Sequence, residues 1–137
     1  MNKYKIGSHT ADKTIIAESD TLDGLFQSAM DGLASLLIPD NLILKEKKQV
    51  STKIKIESID QSCLIVDFLS EILSYSYIKK SIFLKSEFDY LTKNSLSATI
   101  YGYKVDRFKE DIKAITYYGA KLRFLNGKFK IKILIDI

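Results

Sequence analysis

Asn126-Gly127 lies between two alternating apolar and basic runs, Ala120-Lys121-Leu122-Arg123-Phe124-Leu125 and Lys128-Phe129-Lys130-Ile131-Lys132-Ile133. A type I′ turn needs positive φ at both central residues, which Asn and Gly tolerate, so this stretch dictates an antiparallel hairpin. A two-residue loop pairs Phe124 with Phe129 and Leu122 with Ile131 on a buried face. The same register sets Lys121 against Lys132 and Arg123 against Lys130, and directly opposed like charges are destabilising. The basic stripe of Lys121, Arg123, Lys128, Lys130 and Lys132 therefore either meets an acidic or phosphate-bearing partner or guards an exposed edge against another chain.

Upstream, the apolar period alternates between two residues and three to four. Tyr4-Lys5-Ile6 and Thr14-Ile15-Ile16-Ala17-Glu18 read as short strands, with Gly7-Ser8-His9-Thr10-Ala11-Asp12 between them as a loop. Leu22, Leu25, Phe26, Ala29, Met30, Leu33, Leu36 and Leu37 fall on one helical face. Asp20 or Thr21 caps that helix and Pro39, which offers no N–H, stops it. Val50, Thr52, Ile54 and Ile56 alternate with polar residues as a strand with one wet face, after a solvated loop at Lys45-Glu46-Lys47-Lys48. A second helix covers residues 61–77, capped by Asp60, and buries Cys63 in its middle. Residues 82–91 and 96–103 form another hairpin. The order β-β-α-β-α followed by antiparallel strands defines an α+β domain, with two helices packed on a mainly antiparallel sheet and residues 1–137 as one domain.

Composition narrows the functional classes. With 46% apolar and 28% charged residues, 137 residues make one ordinary core, and two domains would each be short of one. No apolar run is long enough to span a bilayer and the start, Met1-Asn2-Lys3-Tyr4-Lys5, is polar, so the expected location is the cytoplasm. The single cysteine excludes an internal disulfide and a Cys-only zinc site. A formal charge of +4 is too small to define a nucleic-acid binder, and with only Arg107 and Arg123 as arginines the basic surface is made of lysine point charges. No glycine-rich phosphate loop, zinc spacing or Ser/His/Asp set stands out.

Three places remain where chemistry can sit. His9, the sole histidine, precedes Asp12 by three residues; read by themselves the two are solvated or hydrogen-bonded, or they contribute to a hard oxygen site for calcium or magnesium. Asp136 and the Ile137 carboxylate set two negative charges side by side, which fray into solvent or require a compensating cation. Asp67 and Glu71, one turn apart on the polar side of the second helix, repel each other mildly and have no histidine or nucleophile near them in sequence to make a general acid-base pair.

His9-Thr10-Ala11-Asp12, Thr21-Leu22-Asp23-Gly24-Leu25-Phe26, Phe68-Leu69-Ser70-Glu71-Ile72-Leu73, Lys113-Ala114-Ile115-Thr116-Tyr117 and Asp136-Ile137 occur in an order and at spacings that resemble the archease family over nearly the whole chain. The resemblance implies a non-catalytic accessory to the tRNA-splicing and RNA-repair ligase that joins 2′,3′-cyclic phosphate or 3′-phosphate ends to 5′-hydroxyl ends. The accessory promotes guanylylation of that ligase and repeated turnover. It further implies a divalent metal, calcium ahead of magnesium, at Asp12, Asp136 and the Ile137 terminus, and contact with the ligase or a part in its activation for His9, Glu71 and Lys113. RNA would be met mostly through the ligase, with neither DNA nor membrane as partner. Tyr118 departs from the family pattern, standing where many relatives carry histidine; Ser70 and Gly102-Tyr103-Lys104 depart too. Two alternatives stand beside this reading: a metal-dependent hydrolase using Asp12 and Asp136 around a cation, and a general chaperone or modulator of an RNA-modifying enzyme.

Overall fold

The computed structural model describes residues 1–9 and 12–137, with backbone alone at Ser8 and His9. In chain order the elements are β1 (Lys3–His9), β2 (Asp12–Ser19), α1 (Leu22–Leu37), β3 (Gln49–Glu57), α2 (Gln61–Lys79), β4 (Ser81–Leu91), β5 (Ser95–Lys104), β6 (Ala114–Ile115), β7 (Arg123–Leu125) and β8 (Lys128–Asp136). They make the expected α+β fold of two helices with antiparallel strands. The strands divide into a larger sheet of order β1-β2-β8-β6, with β7 also on β8, and a smaller sheet of order β3-β5-β4.

Both helices start where side chains satisfy open backbone donors. Thr21 accepts from the Gly24 N–H at 3.1 Å, and Asp60 accepts from the Cys63 N–H at 2.8 Å. Cys63 thus belongs to the first turn of α2 and is half-buried, a correction to its expected place inside the helix. α1 is apolar on most of its circumference because it packs against β1 and β2 of one sheet and β4 of the other. Phe26 of α1, Phe68 of α2 and Phe88 of β4 form an aromatic trio with ring centroids 5.3, 5.9 and 5.7 Å apart. Such tilted and edge-on pairs add to the area they bury, so the trio ties both helices to the smaller sheet. Gln27 closes the same joint: its amide donates to the Leu84 carbonyl at 2.8 Å and its oxygen accepts from the Ser86 N–H at 2.9 Å, where β4 shifts register.

Two strand expectations and one loop expectation are corrected. The segment between β1 and β2 is shorter than foreseen, because β1 runs through His9 and β2 begins at Asp12, the two being paired in register. Residues 44–46 form a single 3-10 turn within the expected loop. The Asn126-Gly127 turn is present, with φ of 54° and 75°, and Phe124 does pair with Phe129. β7 nevertheless holds only three residues. The Leu122 N–H leaves the ladder to donate to Ser62 Oγ of α2 at 2.9 Å, so neither Leu122 with Ile131 nor Lys121 with Lys132 is a ladder pair. Phe124 is 57% exposed, not on a buried face, and packs at a tilt against Phe129 with ring centroids 4.6 Å apart.

The C-terminal end of β8 is held from both sides. β2 pairs with it from Ser19↔Phe129 to Asp12↔Asp136, and β6 pairs Ala114 with Asp136 and Ile115 with Ile135. The Lys113 N–H donates to the Asp136 carbonyl at 2.8 Å. The segment leading into β6 is itself pinned by Tyr77 of α2, whose hydroxyl donates to the Ile112 carbonyl at 2.8 Å and accepts from the Ile112 N–H at 2.7 Å. Tyr77→Phe leaves both backbone groups unpartnered, and a loss of about 1–3 kcal/mol in urea unfolding is expected; an unchanged midpoint would mean that Ile112 finds other partners.

Candidate functional site

Residues directly opposite one another in antiparallel strands share a face, so the registers place the sequence candidates in three dimensions. On the inner face of the larger sheet, Ile15 and Ala17 of β2 lie beside Ile133 and Ile131 of β8, fully buried or nearly so against α1. The outer face carries most of the charged residues, among them Asp12, Glu18, Lys130, Lys132 and Asp136. Its end row reads His9, Asp12, Asp136, Ala114 across β1, β2, β8 and β6. The next row is Gly7, Thr14, Leu134, extended by Thr116, whose N–H donates to the Leu134 carbonyl at 3.0 Å.

The fold therefore brings Asp12 and Asp136, 124 positions apart in sequence, into direct opposition, with Cβ atoms about 5 Å apart as the pairing geometry dictates. Read by itself, the chain end could fray; instead Asp136 is the last residue of a strand flanked on both edges, and Ile137 is half-buried beside it. Lys113 stands next to this row on the β6 side, its side chain exposed and its backbone bonded to Asp136. The His9 side chain, together with Thr10 and Ala11, lies outside the described residues; its backbone opposes Asp12. Glu71 is not brought to the acidic row. It lines a separate hollow between α2 and β3 with Lys55, Glu57, Asp67, Ser70 and Ser74.

Asp67, expected on a solvated helix face, is instead a bonded anchor. Ser58 Oγ donates to its Oδ2 at 2.5 Å and the Tyr117 hydroxyl donates to its Oδ1. The bond to Asp67, helped by burial and the carboxylate's charge, pushes the Tyr117 phenol up to about 12. Tyr117 reaches α2 while its neighbour Tyr118 reaches the opposite side, over the outer sheet face. There Tyr118 and Gly119 join Asp12, Thr14, Lys132 and Leu134 around a hollow of about 600 Å³. Sequence reasoning missed this hollow. Thr14, Lys132 and Leu134 could have been found from the strand period, since each shares a face with Asp12 or Asp136; Tyr118 stood out only as a departure.

Two opposed carboxylates offer the hard oxygen donors that calcium or magnesium takes. The donor set is small. Among the described residues no group of three or more His, Cys, Asp or Glu side chains could hold a metal. A cation here would be held by Asp12, Asp136 and the carboxylate of Ile137, with further oxygens from water or a partner. Without a cation, the like charges oppose folding. Asp136→Asn is accordingly expected to raise metal-free stability by up to about 1 kcal/mol at low ionic strength, and by less as salt screens the pair. Thermal unfolding in a chelator checks the sign; a fall in melting temperature would show that the carboxylate is already compensated by the protein.

Residues 4–137 match the model of the archease protein family (MTH1598/TM1083). Among similar sequences, the protein archease of Pyrococcus abyssi is 30% identical, with all of both chains covered, and that of Methanosarcina mazei is 27% identical over 98% of this chain and 96% of its own. The solution structure of Methanobacterium thermoautotrophicum protein 1598 superposes with a TM-score of 0.74 at 21% identity, covering 98% of each chain. The crystal structure of a Thermotoga maritima archease, described as a possible chaperone, superposes with a TM-score of 0.61 at 15% identity, covering 97% of this chain and 96% of that one.

Proposed function

Because the chain belongs to the archease family, we propose that it is a non-catalytic activator of an RNA ligase of the tRNA-splicing and RNA-repair type, acting in the cytoplasm. It raises the rate at which the ligase takes up GMP from GTP and so lets it turn over on 3′-phosphate and 5′-hydroxyl ends. RNA is held mainly by the ligase. Neither a membrane nor DNA is part of this reading, and among the described residues no helix is long and apolar enough to cross a membrane.

The observation that carries the reading is the acidic row at one end of the larger sheet, where β2 and β8 oppose Asp12 and Asp136 at an electrostatic cost. A structural role does not call for such a pair, whereas a divalent cation would supply the compensating charge. In this reading Asp12, Asp136 and the Ile137 carboxylate hold calcium, or magnesium, with open positions that a partner can complete. The rigid central strand presents these carboxylates in one fixed geometry, which favours the ligase conformation that accepts GMP by binding it better than the alternatives. Lys113, anchored through its backbone beside the row, offers an exposed cation to the ligase or its nucleotide. His9, whose backbone opposes Asp12, and Glu71, in the separate hollow beside α2, are further candidate contacts.

The test mixes the protein with a cognate ligase, radiolabelled GTP and a divalent metal, and follows ligase–GMP adduct with time. The intact chain should accelerate adduct formation, Asp12→Ala should abolish the acceleration while remaining folded, and Lys113→Ala should do the same with stability within about 0.5 kcal/mol of the parent. GMP attached covalently to this chain, or RNA changed in the absence of ligase, would instead make Asp12 and Asp136 parts of a catalytic centre.

A further inference from the structure

Beyond the acidic row, the outer face of the larger sheet changes sign. Two residues along the strands from Thr14 and Leu134 comes a row of Lys5, Ile16 and Lys132, and two further on a row of Lys3, Glu18, Lys130 and Arg123. Rows on one strand face are about 7 Å apart, so the lysines begin about 14 Å from the carboxylates. These two rows hold five cations and one anion, a local excess of four, equal to the formal net charge of +4 of the whole chain. Lys3, Lys5, Arg123, Lys130 and Lys132 are all exposed, and among the described residues none of them makes an ion pair. Lys128 at the edge does, lying 3.8 Å from both Glu18 and Asp20.

Edge protection accounts for only part of this arrangement. Lys3 and Lys5 lie on the edge strand β1 and Arg123 on β7, but Lys130 belongs to β8 where it is paired on both sides, by β2 and β7, and the cations form a field across β1, β7 and β8. Between the basic rows and the acidic row lies the hollow of about 600 Å³, lined on one side by Tyr118, a residue that is 81% exposed. An exposed aromatic residue beside a hollow, followed by lysines at regular spacing, suits a chain that alternates bases with phosphates. An acidic polypeptide would use the lysines but not the ring and its hollow.

We propose that the outer face of the larger sheet binds single-stranded RNA directly, with phosphates over the rows of Lys5, Lys132, Lys3, Lys130 and Arg123 and one base stacked on Tyr118 in the hollow. That the polynucleotide is RNA rests on the function proposed above; the charged face itself does not depend on the metal. Lysine point charges and a single stacking ring make the binding tolerant of sequence and sensitive to salt. Polarity along the face then sets direction: the strand is held by its backbone over the basic rows and ends toward Asp12 and Asp136, whose charge repels further phosphates.

Fluorescence anisotropy of the intact chain with labelled oligouridylate, in a chelator, tests this. Binding is expected at low salt, with log affinity falling against log salt at a slope of about −3 to −3.5 if all five cations neutralise phosphates. Lys130→Glu with Lys132→Glu should weaken binding by about tenfold or more, and Tyr118→Ala by roughly fivefold. Lys85→Glu with Lys93→Glu, the same charge change on the smaller sheet and its hairpin loop, should cost about twofold at most. If the double variant on β8 melts early, Lys5→Glu on the edge strand takes its place. Because the assay is run in a chelator, loss of the RNA face is read independently of the metal site. Equal losses for the two double variants, no binding at low salt, or displacement by polyglutamate as effective as by unlabelled RNA would overturn the proposal, the last in favour of an acidic protein partner.

Discussion

β8 pairs with β2 along eight consecutive positions, from Ser19↔Phe129 to Asp12↔Asp136, and so joins the beginning of the chain to its end. Without that ladder Asp12 and Asp136 have no reason to meet, and the outer face has neither its acidic end nor its basic rows. Register is the sensitive quantity. A slip of one residue would turn Ile131, Ile133 and Ile135 outward and bury Lys132 and Lys130, an outcome that the buried isoleucines exclude. The apolar alternation that builds the core is thus the same device that positions the charged residues on the opposite face.

The rest of the molecule holds that ladder in place. α1 covers the inner side of β2 closely enough that a Cβ on Gly32 would lie 2.7 Å from Ile15 Cγ2, so glycine permits the contact. The Phe26–Phe68–Phe88 trio fixes α1 against α2 and the smaller sheet. α2 in turn grips the far edge of the larger sheet through Tyr77 on Ile112, Asp67 on Tyr117 and Ser62 on the Leu122 N–H. These three contacts carry residues 112–122 around the β6 edge and bring Tyr118 over the outer face. The site is assembled from both ends of the chain and one loop, and its position depends on a helix that contributes no residue to it.

Much of the fold was legible because it rests on local chemistry. Thr21 and Asp60 as caps, Pro39 as a stop, Asn126-Gly127 as a turn and the two apolar periods are each decided within a few residues, and each is found in place. What failed was decided at a distance. The length of β7 depends on Ser62, 60 residues before Leu122, and Asp67 looked solvated because its partners, Ser58 and Tyr117, lie off its own helix face. For Asp12 and Asp136 the residues alone leave both solvent and a cation open and the family resemblance favours the cation, since the pairing that opposes them is a long-range fact. Lys132 and Tyr118 were noticed for other reasons, one as part of a hairpin stripe and one as a departure from a pattern, and only the sheet register shows that they border the same hollow as Asp12.

We propose that the β2–β8 ladder builds a divalent-cation site from Asp12, Asp136 and the Ile137 carboxylate. Isothermal calorimetry of calcium into the intact chain tests it most directly, against Asp12→Asn, Asp136→Asn and a form extended beyond Ile137. One cation per chain, with affinity lost in both variants and reduced by the extension, is the predicted result. Equal calcium affinity in all four proteins, or no measurable heat in any, would contradict the account and leave the acidic row a solvated end of the sheet.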